Sequence, residues 1–470
     1  MTKIEHVIRY IDSELKSRRL TPGMRLPSVR QLAKQLDFSV STIVCAYERM
    51  LSTGQIESRA GSGFFVSAPL EPLKLSNMEP IQVKHLDPLR LSRELLEASP
   101  SLIKPGCGWL PDSWMPHEAL RKAIRDVSKE STFELMNYSS PLGFNLLREL
   151  LARRLQSKSI FVSPDQVLLT DSGSYSTDLL CRFLLKPGDT VLVDDPCYFN
   201  FKALLKVHQA KVIGIPYTTG GPNIEAFQQA IIEHQPRLYI TNSGIHNPTG
   251  AMPSSATVHQ LVSLITQANM IVIEDDIFSD FENKHSPRFS ALDGLTNSIY
   301  IGSFSKTLSA SLRCGYIVAK PEWINDLIDL KIATSFSHNN FSAHVLYKVL
   351  TDGKYRKHLE QLNTRLANAM DISINTLEQM QIRPWIKPQA GMFLWCELPA
   401  YIDLHRLQQY CTEQGVVLAL GEAFSTSGLF KQFLRFNVAQ CVHYDVFNVL
   451  QAGLLASKPA STHMNDHLID

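Results

Sequence analysis

The sequence predicts two folded parts of different class: a small helical head ending in a β-hairpin, and a large α/β body built on a mostly parallel sheet. Three observations predict this. In the second part, seven short apolar runs alternate with helical stretches, the pattern of strands buried on both faces with crossover helices between them. In the first part, helical periodicity up to Gly54 gives way to two-residue alternation over residues 55–66. Charge is also divided: residues 1–66 carry ten Lys/Arg against six Asp/Glu, hence +4, so the chain total of +1 leaves −3 for the rest.

Bulk properties narrow the class of protein. A chain of 470 residues has room for about two to four domains, and 44% hydrophobic with 19% charged residues is ordinary for a globular chain. The eight cysteines stand singly, without C-x-x-C or Cys/His ligand spacing. No metal site is therefore expected, and the thiols read as reduced, in a cytoplasmic setting. No apolar run approaches the ~20 residues needed to cross a bilayer, so no membrane partner is expected. A basic head on a near-neutral body points to a polyanionic partner.

In residues 3–16, Ile4, Val7, Ile8, Ile11 and Leu15 fall at helical spacing, and Leu20-Thr21-Pro22-Gly23 ends that helix. Ser28-Val29-Arg30-Gln31 has the form of a capping box opening a second helix that runs to about Leu36. Ser39 starts a third, with Val40, Ile43, Val44, Tyr47, Met50 and Leu51 on one face. Residues 55–66 turn through Ala60-Gly61-Ser62-Gly63 as a two-stranded wing. Three helices and a hairpin make the winged helix-turn-helix plan, whose third helix enters the DNA major groove. A small helical dimerisation module is the competing reading. The runs Leu20-Thr21-Pro22-Gly23, Leu26-Pro27-Ser28-Val29-Arg30-Gln31-Leu32-Ala33, Ser41-Thr42-Ile43 and Ala46-Tyr47 resemble the GntR group of bacterial regulators. On that resemblance Arg25, Ser28, Arg30, Ser39, Ser41, Thr42, Arg49 and Arg59 are expected to contact double-stranded DNA. The group usually has arginine where Val40 stands, and often a basic residue at Cys45, so different bases are expected to be read.

Residues 68–90, rich in proline and without periodicity, are expected to be a linker between the head (1–67) and the body (91–457); a polar tail follows at 458–470. In the body the expected strands are Gln166–Leu169, Thr190–Val193, Lys211–Ile215, Arg237–Thr241, Met270–Glu274, Ser298–Gly302 and Cys314–Val318. Ligands of such sheets bind beyond the carboxyl ends of the strands. The polar residues of interest fall there.

After the strand at 298–302 come Ser303, Ser305 and Lys306, with Arg313 seven residues on. A buried lysine amine can form a Schiff base, and hydroxyls with a guanidinium make a phosphate site. An aldehyde carrying a phosphate arm is what pyridoxal phosphate offers. Asn247 follows a strand on a proline-rigid turn, suited to a phenolate oxygen. Asp275 follows another and can pair with a protonated pyridine nitrogen. Ser174 and Tyr175 open a helix after a third, forming an anion cradle, and Tyr198 offers an aromatic face after a fourth. Singly, Asp275 reads as well as a helix cap, Asn247 as a turn residue and Tyr198 as core. The series together, each member after an expected strand, points to one site.

This series resembles the class I, fold-type I aminotransferases over roughly residues 95–455. The resemblance implies the pyridoxal-phosphate-dependent transferase fold with a smaller C-terminal α+β subdomain, and pyridoxal 5′-phosphate as cofactor. It makes Lys306 the catalytic lysine and gives Asp275, Asn247, Tyr198, Ser174, Tyr175, Ser303, Ser305 and Arg313 to the cofactor. Arg435, in Phe433-Leu434-Arg435-Phe436-Asn437, becomes the binder of a substrate carboxylate. Tyr138 becomes a phosphate contact reaching across a homodimer. Two positions depart from the family: Phe278 stands at or beside a usual tyrosine, and Ala390 replaces a usual glycine.

A GntR-type head on an aminotransferase-like body is the architecture of the MocR-type regulators. The expectation is a transcription regulator whose body senses an amino compound or the cofactor itself. A working aminotransferase with an accessory DNA-binding head stays open beside it, as does a body that has lost its cofactor.

Overall fold

Helix α1 (Lys3–Lys16) begins at a capping box in which Thr2 Oγ1 accepts from the Glu5 amide and Glu5 Oε2 accepts from the Thr2 amide. A second capping box, Ser28 with Gln31, opens α2 (Val29–Leu36), and Ser39 caps α3 (Val40–Ser52). Strands β1 (Ile56–Arg59) and β2 (Gly63–Val66) pair antiparallel across a turn in which Gly61 and Gly63 take positive φ. Val7, Ile11, Leu32, Ile43, Ala46, Tyr47, Met50, Ile56 and Val66 close into one small core. The Tyr47 hydroxyl donates to the Pro27 carbonyl at 2.8 Å, joining α3 to the turn ahead of α2. The winged helix-turn-helix expected from the sequence is present, with its element ends within a residue or two of those expected.

The computed structural model describes residues 2–17, 19–67, 89–97, 99, 102–129, 136–442 and 444–457. The expected tail, and the expected linker up to residue 88, lie outside the described residues. A helix spans Arg90–Glu97. Contacts divide the chain into two compact units, Met1–Lys84 and His85–Asp470.

The body is organised by one sheet, in the order β3 (Val167–Thr170), β10 (Gly315–Val318), β9 (Ser298–Ser303), β8 (Ile271–Asp275), β7 (Leu238–Thr241), β4 (Thr190–Asp195), β5 (Lys211–Thr218) and the short β6 (Gly221–Pro222). β9, β8, β7, β4 and β5 run parallel, and only β10 and β6 oppose their neighbours. Val191, Leu192, Val193, Leu238, Tyr239, Ile240, Ile299, Ile301 and Ile317 are fully buried, which explains runs without polar alternation. Each such aliphatic side chain contributes about 1.5–3 kcal/mol on burial. Because the strands share a direction, the carboxyl ends of β3, β4, β7, β8 and β9 meet at one edge. The antiparallel β10 starts at that same edge: Gly315 pairs with Thr170 on one side and Ser303 on the other.

A smaller C-terminal subdomain carries the antiparallel sheet β11 (Arg383–Pro384), β12 (Phe393–Glu397), β14 (Phe433–Asn437), β13 (Ala419–Leu420), with helices Lys354–Gln379, Leu404–Glu413 and Tyr444–Ala456. Leu394, Cys396, Leu434 and Phe436 face Leu366, Leu377 and Leu450 in its core. The expected α+β subdomain is confirmed. Among the described residues, no helix is long and apolar enough to cross a membrane and no group of His, Cys, Asp or Glu is placed to hold a metal.

Candidate cofactor site and DNA-binding surface

The strand ends converge on a cavity of about 410 Å³ in the body. Lys306, Asp275, Asn247, Tyr198, Ser174, Ser303, Ser305, Arg313 and Arg435 all line it. Lys306 comes from the turn after β9 and its Nζ donates to the Gly108 carbonyl at 2.7 Å. Burial lowers its pKa to about 8, with the nearby Arg435 charge acting in the same direction. The amine therefore keeps a neutral, nucleophilic fraction near pH 7.

Asp275 ends β8, and burial raises its pKa to about 7, with Asp276 adding repulsion. The neighbouring carboxylate is treated differently. Asp276 points into a buried cluster where Arg288 Nη2 lies at 2.9 Å, Tyr300 Oη at 2.7 Å and Lys158 Nζ at 3.3 Å. Burial opposes its ionisation, but Arg288 and Lys158 more than offset that and hold its pKa below the usual carboxylate range. Of two adjacent aspartates, one is neutralised by protein cations and the other is left for the cavity.

Arg435, on β14, is fully enclosed: Nη1 donates to Asn247 Oδ1 at 2.8 Å and Nη2 to the Gly106 carbonyl at 2.7 Å. Its Nε is buried with no hydrogen-bond partner among the described residues. Burial lowers its pKa to about 10, and the cation persists at neutral pH. The bond to Arg435 fixes the Asn247 amide so that its NH₂ is the end left to donate.

The residues expected to form an anion cradle come from both directions of the sheet. Ser172 Oγ caps the helix Gly173–Leu184, and Ser174 and Thr177 lie on its first turns. The Ser303 hydroxyl donates to the Cys314 carbonyl at 3.1 Å, and the Ser305 amide donates to Ser303 Oγ at 3.3 Å. Arg313 arrives from the amino end of β10. A Cβ on Gly315 would stand 2.6 Å from the Ser172 backbone, so only glycine lets that strand pass the cradle.

Two expected contacts lie elsewhere. The Tyr175 hydroxyl bonds Thr334 Oγ1 at 2.8 Å and Ser335 Oγ at 2.9 Å, and its amide caps onto Ser172. The helical turn carries its side chain away from the cavity that Ser174 lines. Tyr138 is 78% exposed and packs on Phe336, outside the cavity of its own chain.

These donors fit pyridoxal phosphate. Hydroxyls, helix-terminal amides and Arg313 suit a dianion, Asp275 suits a protonated ring nitrogen, and the partly neutral Lys306 suits an aldehyde. The unpartnered Nε of Arg435 leaves part of its fork available to a carboxylate.

Over residues 111–452 the sequence matches the family described as aminotransferase class I and II. The chain belongs to this aminotransferase family. A second match, to the gntR family of bacterial regulatory proteins, spans residues 3–66, so the chain has the MocR-type order of a GntR head followed by an aminotransferase body. Among curated relatives, the HTH-type transcriptional regulator YdfD of Bacillus subtilis is 26% identical, covering 90% of each chain. YdcR of Escherichia coli, also named an HTH-type transcriptional regulator, is 27% identical over 93% of this chain and 95% of its own. Among solved structures, the kynurenine aminotransferase of Pyrococcus horikoshii superposes with a TM-score of 0.73 at 24% identity, covering 82% of this chain and 98% of that one. The last likeness bears on the fold of the aminotransferase body.

Several residues of the aminotransferase body were not singled out from sequence. Gly106, Gly108 and Trp109 wall the cavity or hold its groups, yet they precede the expected strands. Gly106 is explained by steric need, because a Cβ there would lie 2.5 Å from the Ala419 amide nitrogen. Cys107 is buried beside Lys306 and Arg435, donates from Sγ to the Trp109 carbonyl, and burial raises its pKa. The run Gly106-Cys107-Gly108-Trp109 was the available signal, but glycines near a chain entry read simply as a turn.

In the head, Arg25, Ser28, Arg30, Ser39, Ser41, Arg49 and Arg59 are exposed, and Thr42 is half-buried. They are not equivalent. Ser39 Oγ is engaged with the Thr42 amide at 3.2 Å, Thr42 Oγ1 at 2.7 Å and Ser41 Oγ at 3.0 Å. Arg59 pairs with Glu57 and lies over the Phe65 ring at 4.4 Å. Val40 and Val44 are exposed along one flank of α3, beside its buried Ile43, Tyr47 and Met50.

Proposed function

We propose that the chain is a pyridoxal-phosphate-dependent transcription regulator, in which the aminotransferase body senses an amino compound and the winged helix binds operator DNA. One observation carries the reading: a single chain joins a cavity lined by Lys306, Asp275, Asn247 and Arg435 to a helix-turn-helix whose third helix has an exposed side. The regulator names of its relatives support the same reading.

When bound, the cofactor supplies an aldehyde carbon and an electron-accepting ring. The chain's own groups hold it. Ser172, Ser174, Thr177, Ser303, Ser305 and Arg313 take the phosphate; Asp275 takes the ring nitrogen; Tyr198 walls the ring. Lys306 presents the amine, and Arg435 receives the carboxylate of an incoming amino compound. Tyr138, exposed in this chain, is assigned to the phosphate of the second copy in a homodimer.

Binding of duplex DNA by the full chain, followed by fluorescence anisotropy with and without the cofactor and a panel of amino acids, tests the reading. An effect of cofactor or amino acid on affinity supports it. DNA affinity indifferent to both refutes the sensing role.

A catalytic reading has specific support in the retention of Lys306, Asp275 and Arg435. Phe278 weighs against it. The side chain is buried against Phe281 and Phe393 and offers no hydroxyl, so Asn247 is left as the amide donor for the ring oxygen. Removing one charge-assisted hydrogen bond costs about 1.5–3 kcal/mol, roughly ten- to hundredfold in rate. Full transamination is expected to be slow or absent, and Phe278→Tyr is expected to raise whatever rate exists. Turnover near ~1–10³ per second without any effect on DNA binding would favour the enzyme.

A further inference from the structure

The third helix of the head presents an unusual face to a major groove. Its exposed positions over the first turns are Val40, Ser41, Val44, Cys45 and Glu48, with Arg49 and Ser52 following in the last turn. Val40 is 49% exposed and Val44 36% exposed, although both are aliphatic and the head has a closed core only one helix face away. They are four residues apart and so lie one above the other.

The polar groups at the start of this helix are already engaged. Ser39 serves as the cap, its hydroxyl shared with Ser41 and Thr42. No arginine, lysine, asparagine or glutamine stands among these five residues, so the first turns offer none of the forked donors that read guanine or adenine, and Arg49 comes only in the last turn. Glu48 adds no attraction to a phosphate. The cations lie around the face rather than on it: Arg30 near the start of α2, Arg49 in the last turn of α3, and Arg25 and Arg59 at the wing. That division separates backbone anchoring from base reading.

We propose that this head reads thymine C5-methyl groups in the major groove through Val40 and Val44, so that its half-site is A·T-rich where α3 inserts. The inference rests on the DNA-binding reading above. An aliphatic side chain distinguishes bases in this groove by the thymine methyl, which is the one apolar group on any base edge there. Two valines stacked along the helix match methyls on neighbouring base pairs, and burying them also accounts for apolar residues kept at the surface. Arg25, Arg30, Arg49 and Arg59 then supply the sequence-independent part of the affinity.

The test uses the full chain and duplexes enriched from a random-sequence library. Each enriched thymine is replaced singly by deoxyuridine, which removes the methyl and leaves the hydrogen-bonding edge intact. Loss of about fourfold in affinity for each contacted thymine is expected, the equivalent of one buried methylene-sized group. In a Val40→Ser/Val44→Ser chain that methyl dependence should vanish while the salt dependence stays unchanged; both sites are exposed, so folding is spared. Val40→Arg should move the enriched base toward guanine. Enrichment of G·C-rich sites by the unaltered chain, or a site indifferent to uridine, overturns the proposal while DNA binding stands. Absence of any duplex binding at low salt overturns the DNA-binding reading itself.

Discussion

Asp275→Asn tests the electrostatic account of the cavity most directly. In the folded chain stripped of cofactor, burial lifts the Asp275 pKa from 3.8 to about 7. Between those values the native state holds a proton that the unfolded state releases, so stability falls as pH rises through that window and levels off above it. A displacement of this size corresponds to roughly 4 kcal/mol of destabilisation at pH 8. Asparagine carries no such charge and keeps an Oδ1 that can accept the weak bond from the Ile277 amide, at 3.4 Å, while its NH₂ needs an acceptor in place of the second oxygen, so the net gain expected is about 2–4 kcal/mol. All five tryptophans, residues 109, 114, 323, 385 and 395, lie in the body, so their fluorescence in urea follows its unfolding without a signal from the head. The variant should be more stable than wild type at pH 8, with the difference closing toward pH 4. Adding pyridoxal phosphate should stabilise wild type more than Asp275→Asn, because the carboxylate proposed to pair with the ring nitrogen is gone. A variant less stable than wild type at pH 8, or a difference that does not change with pH, would refute this account.

Other expectations follow from particular contacts. Gly106→Ala forces a Cβ to within 2.5 Å of the Ala419 amide, so the loop holding Arg435 must shift. A cost of about 1–3 kcal/mol and a weakened response to carboxylate-bearing amino compounds are expected by urea titration and calorimetry. Tyr47→Phe removes the buried bond to the Pro27 carbonyl and should cost the head about 1 kcal/mol, read as faster hydrogen exchange in peptides of residues 19–67 with body peptides unchanged. Arg49→Ala should lower DNA affinity and make the slope of log affinity against log salt shallower by about 0.9 if one phosphate contact is lost. An unchanged slope would remove Arg49 from the phosphate-contacting set.

The sequence alone determined the class of both parts and named most of the polar residues that line the cavity. Local rules sufficed for the head. Capping residues at 28 and 39, periodic apolar positions and a glycine turn each act within a few residues of chain, so they are legible one at a time. In the body, continuous apolar strands implied a parallel sheet, and a parallel sheet gathers whatever follows its strands at one edge. That is why Lys306, Asp275, Asn247 and Tyr198 can be named together from the sequence.

What only the tertiary structure decided depends on contacts between distant segments. Strand β10 opposes its neighbours, a fact invisible in its apolar run, and this reversal brings Arg313 to the cradle from the strand's beginning. Asp275 and Asp276 look alike in sequence; Arg288, Lys158 and Tyr300, brought from three other segments, neutralise one and leave the other. Tyr175 follows Ser174 by one residue, and helical rotation of about 100° per residue takes its side chain to Thr334 and Ser335 instead of the cavity. Gly106 is required by the close approach of β13, more than three hundred residues later. Burial and charge pairing are properties of the folded assembly of segments, and no window of sequence contains them.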